Sequence, residues 1–358
     1  MKNEQKLGFA DFMVEKRKIK QEFFNQVNTI VDWRPISNII NKHYQKGESA
    51  VGRPSYDGLV LFKMALLQTW YGLSDYEVED RVNDSISFGR FVGISLDDSV
   101  PDHSVLSRFR TEMTQKNVYD KLFKAMNKQL EKHKIIVKTG AIVDASIVDS
   151  PLKPKGQTTF EIENDRSEEE RSDEDKNNEN THHSTVTKTQ KGADPEGRWI
   201  KKSGVTRFGY KKHTVTDEEG LILGILTTPA NVNEISNLED VLDTADLPEG
   251  IHLNADKGYA SAKNEELLEA RKIKSRILHR ARKGKPLTER EKLRNKLIGK
   301  TRFKIERTFG SIKRWFNSTH TRYKGMAKTH TQNLIEAIAY NLYRAPGIVA
   351  SNSLKMEN

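Results

Sequence analysis

Three carboxylates stand in settings where an acid could do chemistry. Ala141 to Val148, Ala-Ile-Val-Asp-Ala-Ser-Ile-Val, is a β-branched run short enough for a buried strand, and Asp144 is its only acid. A carboxylate taken out of water is costly unless something pairs with it. Asp144 therefore calls for a cation, a metal or a hydrogen-bond network, whereas Asp149, at the strand end beside Pro151, can simply be solvated. Ile251, Leu253 and Ala255 alternate as a strand running into Asp256-Lys257-Gly258-Tyr259. This places Asp256 either as a site residue at a strand end or in an ordinary Asp-x-Gly turn. The third acid, Glu306, lies in the stretch 302–316. At about 100° per residue, Ile305, Phe309, Ile312 and Phe316 share one helical face, and Arg302, Glu306 and Lys313 form a neighbouring stripe. One carboxylate between two cations suits a metal site bordering a phosphate backbone. An amphipathic surface helix of mixed charge reads the same way.

Composition narrows the chemistry further. The chain has no cysteine, which removes disulfides, thiolate zinc sites and cysteine nucleophiles together, and it has no His-x-x-x-His pair on a helix. Any metal must be held mainly by carboxylates, which favours magnesium or manganese. The net charge of +10 and a pI near 9.4 point to a polyanionic partner. Residues 161–180 hold ten acids against Arg166, Arg171 and Lys176, a balance of −7, so the remainder carries +17.

With 358 residues, 35% of them hydrophobic, and a mean hydropathy of −0.73, the expectation is a soluble protein of two domains. No apolar run nears the roughly 20 residues that span a bilayer. The first residues lack a signal peptide's apolar core, so a cytosolic location is expected.

The elements that must position the acids follow from periodicity. Residues 9–45 suggest two helices broken at Pro35. Leu59 to Trp70 form an amphipathic helix stopped at Gly72, and Ser74 with Glu77 makes a capping box for the next. A short helix fits 85–92. Asp102 can cap a helix whose outer face shows Ser104, Ser107, Arg108 and Arg110; a helix-turn-helix and an ordinary helical bundle both fit. A helix over 118–133 closes this region.

Beyond Asp144's strand, residues 163–185 have almost no apolar side chains and read as a disordered loop joining two strands, with an acidic site using His182 and His183 as the alternative. Phe208–Thr216 and Leu221–Leu226 read as strands around Asp217-Glu218-Glu219-Gly220. A helix over 234–245, the strand ending at Asp256, a helix over 261–272 and a strand over 275–278 follow. Arg280–Lys285 reads as a basic loop, and a helix opened by Thr288 and Glu291 completes the series. The fold class is α+β/α/β: an N-terminal all-helical domain, then a ribonuclease-H-like mixed-sheet domain with an acidic disordered insertion. That topology makes the first and fourth strands neighbours, so Asp144 and Asp256 sit side by side and the late helix carrying Glu306 crosses them.

The chain resembles the DDE transposases of the insertion sequence 5 group. The resemblance rests on Val-Asp-Ala-Ser-Ile-Val around Asp144, Asp194-Pro-Glu-Gly-Arg-Trp199, Phe-Gly-Tyr-Lys-Lys-His213, Thr228-Pro-Ala-Asn231, Ala-Asp-Lys-Gly-Tyr259 and Arg302-x3-Glu306-x6-Lys313. Gly52-Arg-Pro-Ser-Tyr56 and the run Pro101 to Arg110 extend it into the N-terminal region, covering about residues 40–345. One departure is Gly299, where the family usually has a Tyr.

The resemblance implies an enzyme that binds the terminal inverted repeats of its element, cleaves there and joins the freed 3′-OH to target DNA. Two magnesium ions about 3.5–4 Å apart, with manganese able to substitute, would activate water and stabilise the leaving oxygen. Asp144 would bridge both ions, with Asp256 and Glu306 completing their shells. Arg302 and Lys313 would hold the DNA backbone, with Lys257, Tyr259 and His213 beside the site and Arg108 and Arg110 contacting the element's ends. On this reading residues 1–135 recognise ends or serve assembly, and 136–346 perform chemistry, with the insertion at 151–198 and a tail from 347 to 358. The expected setting is a prokaryotic, nucleoid-associated protein, at least a dimer when DNA-bound. Two other readings are a domesticated sequence-specific DNA-binding protein without transposition and a ribonuclease-H-like nuclease without strand transfer.

Overall fold

The computed structural model describes residues 20–44, 55–154, 159–162, 184–187, 192–202, 204–281 and 286–356. The N-terminal part is helical throughout: α1 (Lys20–Ile30), α2 (Trp33–His43), α3 (Gly58–Tyr71), α4 (Asp75–Asp84), α5 (Ile86–Val92), α6 (His103–Gln115) and α7 (Val118–Lys132). The break between α1 and α2 falls at Asp32 rather than at Pro35. Asp32 caps α2 by accepting the Arg34 N–H, and Pro35 sits in the first turn, where a missing N–H costs nothing. Phe9, Phe12 and Met13 lie outside the described residues. α3 is also not amphipathic. Every side chain from Leu61 to Trp70 is buried, because α3 is the central helix around which the others pack, and Gly72 ends it in the left-handed conformation (φ +65°). Ser74–Glu77 forms the expected capping box, and Asp102 caps α6.

The second part is built on a sheet of β1 (Gly140–Asp149), β4 (Arg198–Lys202), β5 (Val205–Asp217), β6 (Ile222–Pro229), β7 (His252–Ala255) and β8 (Lys274–Ile277). β5 pairs antiparallel with β1 on one edge, and with β4 and then β6 on the other. β1, β7 and β8 run parallel. Across the sheet the order is therefore β6, β5, β1, β7, β8. Two short strands, β2 (Thr159–Ile162) and β3 (Ser184–Thr187), pair with each other apart from this sheet. Residues 163–183, the bulk of the acidic stretch with His182 and His183, lie outside the described residues.

The remaining helices are α8 (Leu238–Thr244), α9 (Ala262–Ala270), α10 (Glu289–Trp315) and α11 (Met326–Met356). A second capping box, Thr288 with Glu291, opens α10. α11 continues through most of the residues expected to be a tail, and Pro346 lies inside it. It packs against α1, α3, α6 and α7 as well as β6, and one hydrophobic core runs from Phe24 through Leu66 and Met126 to Ile222, Leu253 and Tyr340.

Candidate functional site

The register of β1 and β7 ends with Val143 opposite Ala255. Asp144 and Asp256 are the next residues on their two strands, so the expected neighbours are neighbours. β7 stops there; β1 continues, and its last residue instead exchanges backbone hydrogen bonds with the chain after α10, through Thr319 O and Thr321 N. α10 lies across this point. Its buried Ile305 and Ile312 fix its roll, and the Thr308 hydroxyl donates to Gly220 O at 2.8 Å. Arg302 is thereby aimed between the two acids: Nη2 donates to Asp144 Oδ2 at 2.9 Å and Nη1 to Asp256 Oδ1 at 3.3 Å. The cation that a buried Asp144 requires is Arg302.

The two carboxylates differ in setting. Asp144 accepts the Ala145 N–H at 2.8 Å, and Asp256 accepts the Lys257 N–H at 2.8 Å to start the single 3-10 turn Lys257–Tyr259. Burial pushes the Asp144 carboxyl up, Arg302 pulls it back, and the negative fields of Asp256 and Glu234 add to the rise. Two hard oxygen donors side by side in a poorly solvated place fit a divalent cation of the magnesium class. Among the described residues, no group of three His, Asp or Glu side chains is arranged to hold one. Glu306, one turn beyond Arg302, is exposed.

Lys313 is half-buried and makes no ion pair among the described residues. Burial, then the neighbouring positive charges of Arg207 and Lys212, lower its ammonium's pKa, and only Asp149 among the named influences opposes this. Lys257 is exposed on the turn after Asp256.

Several sequence expectations fail on burial. Tyr259 and His213 have no solvent exposure, so neither can meet DNA directly. His213 shares a hydrogen bond with Thr228 at 3.0 Å, and burial lowers it to about 4. Arg110 is not on the outer face of α6: it is buried, ion-paired to Asp75 at 2.6 Å, with its guanidinium 4.7 Å from the centre of the Tyr323 ring. Arg108 is exposed. Asp149 is not merely solvated, since Arg207 grips it at 2.8 and 2.6 Å.

Sequence reasoning also missed residues. Glu234, in the loop just after β6, is flanked by Lys211 at 3.4 Å and Lys202 at 3.9 Å. A single Glu in a polar loop carries no periodic signal; its neighbours are set only by the sheet.

Against known families, residues 137–342 match the transposase DDE domain, and residues 12–112 match a second transposase domain (DUF772). A curated relative, the transposase for insertion sequence element IS1106 of Neisseria meningitidis serogroup B, is 32% identical over 240 residues, spanning 66% of this chain and 76% of the relative. Among solved structures, the piggyBac transposase synaptic complex with hairpin DNA aligns over 95% of this chain and 77% of its own at 11% identity and a TM-score of 0.42. The Mos1 strand transfer complex aligns with a TM-score of 0.19. With more than half of its length inside the DDE-domain match and an insertion-sequence transposase 32% identical to it and matched over 76% of its length, the chain belongs to the DDE-domain transposases.

Proposed function

We propose that this transposase binds the terminal inverted repeats of its own insertion sequence, cleaves at the element ends and joins the 3′-OH to target DNA. Asp144, Asp256 and Glu306 are its acidic residues, in a ribonuclease-H-like domain of the insertion sequence 5 type. The strand order β6-β5-β1-β7-β8, in which β5 alone runs against the other four, supports that assignment. The observation that carries the reading is the meeting of Asp144 and Asp256 at the paired ends of β1 and β7 beneath Arg302 of α10.

Asp144 and Asp256 would hold the metal, with Glu306 of the same helix as Arg302 as the third acid. Magnesium, or manganese in its place, supplies the charge that activates water and stabilises a leaving 3′ oxygen. The chain's own residues do the rest. Arg302, tied to both acids, keeps two like charges together that would otherwise repel, and its five donors suit a phosphodiester when one is bound. Lys313 offers a second cation farther along α10. Lys257 stands exposed beside Asp256. Burial of the Asp144 side removes competing water from one face of the site.

Replacing Asp144, Asp256 or Glu306 with alanine is expected to abolish cleavage of an end-containing duplex and strand transfer of a pre-cleaved end. Mobility-shift binding and the thermal melt should stay near wild type, because the acids act on metal rather than on DNA. An active Glu306→Ala protein would remove Glu306 from the assignment. Activity in all three variants would remove the catalytic reading.

A further inference from the structure

We propose that the β4–β5 ribbon is an arm for unpaired DNA: Trp199 stacks on a base of a strand end freed at the site, and Lys201 and Lys202 hold that strand's phosphates. The inference rests on the functional reading above and adds to it a contact surface outside the acids and α10.

The ribbon overhangs the end of the sheet where the acids meet. The register of β1 with β5 closes at Asp149 opposite Gly209, and from that level Arg198–Lys202 of β4 run on beside Val205–Gly209. β4 thus continues in the direction of β1, beyond the point where β7 stops after Ala255. Trp199 pairs with Phe208, whose carbonyl accepts the Ser150 N–H. Ser150 lies six residues along the chain from Asp144, about 20 Å at roughly 3.3 Å per residue. That is about six nucleotides at roughly 3.4 Å each, so one strand can reach both places.

Residues 198–207 hold four cations, Arg198, Lys201, Lys202 and Arg207, and no acid. Of these, Arg207 is committed to a carboxylate, gripping Asp149 at 2.8 and 2.6 Å. Arg198 donates to the carbonyl oxygens of Pro195 and Gly197, and Lys202 stands 3.9 Å from Glu234. Lys201 is exposed and makes no ion pair among the described residues. Strand alternation puts Trp199 and Lys201 on one face, with Arg198, Lys202 and Arg207 on the other.

A lone exposed aromatic is ordinary on a protein surface. The setting of Trp199 is not ordinary. It is 45% exposed and rests on the buried Phe208 ring, 5.1 Å between centres. The loop leading into it is pinned: buried Asp194 accepts the Tyr210 hydroxyl at 2.8 Å and the Gly325 N–H at 3.2 Å, and Glu196 accepts the Met326 N–H at 2.8 Å where α11 begins. A Cβ on Gly197 would lie 2.8 Å from the Phe208 ring, so glycine there lets the loop close over it. Trp33 and Trp70 donate their indole N–H to Asn28 and Ala339, whereas that of Trp199 has no partner among the described residues. A half-exposed indole on a fixed base, among cations with few carboxylates, combines a stacking platform with a phosphate track. Bases inside a duplex already stack on one another, so Trp199 accepts one only where a strand is unpaired, as at a cut end.

The test is fluorescence-anisotropy binding of the full-length protein, in metal-free buffer, to labelled oligothymidylate about 20 nucleotides long and to a blunt random duplex of the same length. Trp199→Leu keeps an apolar cover on Phe208 and removes the ring. It is expected to weaken oligothymidylate binding about tenfold and duplex binding less than about twofold, with Trp199→Phe recovering most of the loss. Lys201→Ala combined with Lys202→Ala should weaken binding to both probes and flatten the log–log salt dependence for oligothymidylate by about 1.4. If Trp199→Leu binds oligothymidylate as wild type does, or weakens both probes equally, the stacking role fails; intact duplex binding then leaves the proposed function standing. Normal DNA binding with a lost dimer in sedimentation would make the ribbon a protein contact and overturn the inference. Should Trp199→Leu not melt cooperatively, the exposed lysine pair decides, and unchanged oligothymidylate affinity in that variant overturns the arm. Wild-type protein that binds neither probe would sink the inference and the proposed function together.

Discussion

At the scale of single residues, Arg302 decides how the acids coexist. Its side chain is 12% exposed and those of Asp144 and Asp256 are 19% and 34%, so the pair is shielded but not sealed. Replacing Arg302 with glutamine leaves two neighbouring carboxylates without a cation. A cost of about 2 kcal/mol at neutral pH is expected, below the value for fully buried pairs because water reaches Asp256. The Asp144 carboxyl is already raised by burial, so on acidification the folded protein takes up this proton before the unfolded chain does. The penalty is therefore present above that raised value and relieved on acidification. Urea denaturation at pH 7 and pH 5 should show the Arg302→Gln deficit shrinking at the lower pH; a constant deficit would mean that the loss comes from packing. Sequence made Asp144 and Asp256 visible because an acid inside a β-branched run, or at the end of an alternating one, breaks its pattern. It misplaced Arg110, Tyr259 and His213, whose burial depends on partners such as Asp75, 35 residues away, that no local pattern encodes.

At the scale of elements, β5 carries two buried titrating groups of opposite sense. His213, lowered to about 4 by burial, is neutral in the fold and protonates near 6.5 when unfolded. Its contribution is complete above pH 6.5 and is lost as pH falls toward 4, by about 3 kcal/mol at one pKa unit per 1.36 kcal/mol. Asp217 is raised to about 6, chiefly by burial. Its penalty holds above pH 6 and is relieved as pH falls toward 3.8, by a similar amount of about 3 kcal/mol. The two nearly cancel in the intact protein. A His213→Leu variant should lose a constant increment from the missing hydrogen bond to Thr228, yet gain stability relative to wild type as pH falls from 6.5 to 4.5. Parallel stability curves for the two proteins would contradict the burial account. The elements themselves were largely legible, since both capping boxes and the strand alternation are local. α3 was not: its apolar run was read as one stripe, and only the helices packed on every side of it show why the remaining face is buried as well.

At the scale of the whole molecule, the expected division into an N-terminal helical domain and a catalytic domain meets α11, which belongs to both. The Trp70 indole N–H donates to Ala339 O at 2.8 Å, and the buried Thr114 and Thr331 hydroxyls share a hydrogen bond. Asn341 binds Asn127 at 3.0 Å and both backbone groups of Ile222 at 2.8 Å, joining α7, α11 and β6 in one buried network. Sequence order hides this because α11 lies some 200 residues beyond the helices it covers. A fragment ending at residue 135 would leave the α11-facing surfaces of α3 and α7 bare, so such a fragment is expected to lack a cooperative melt, and end recognition has to be assayed in the full chain. Asn341→Leu tests the coupling without cutting anything. It strands the Ile222 N–H and the Asn127 Oδ1, and at roughly 1–3 kcal/mol for each buried group left unpaired it should cost about 3 kcal/mol. If the core is continuous, tryptophan fluorescence, which reports Trp33 and Trp70 in one half and Trp199 and Trp315 in the other, and far-ultraviolet circular dichroism will shift together in a single transition of lower Tm. Two separated transitions, with only the later-melting half sensitive to Asn341→Leu, would show instead that the helical region and the sheet unfold as independent units and that α11 merely touches both.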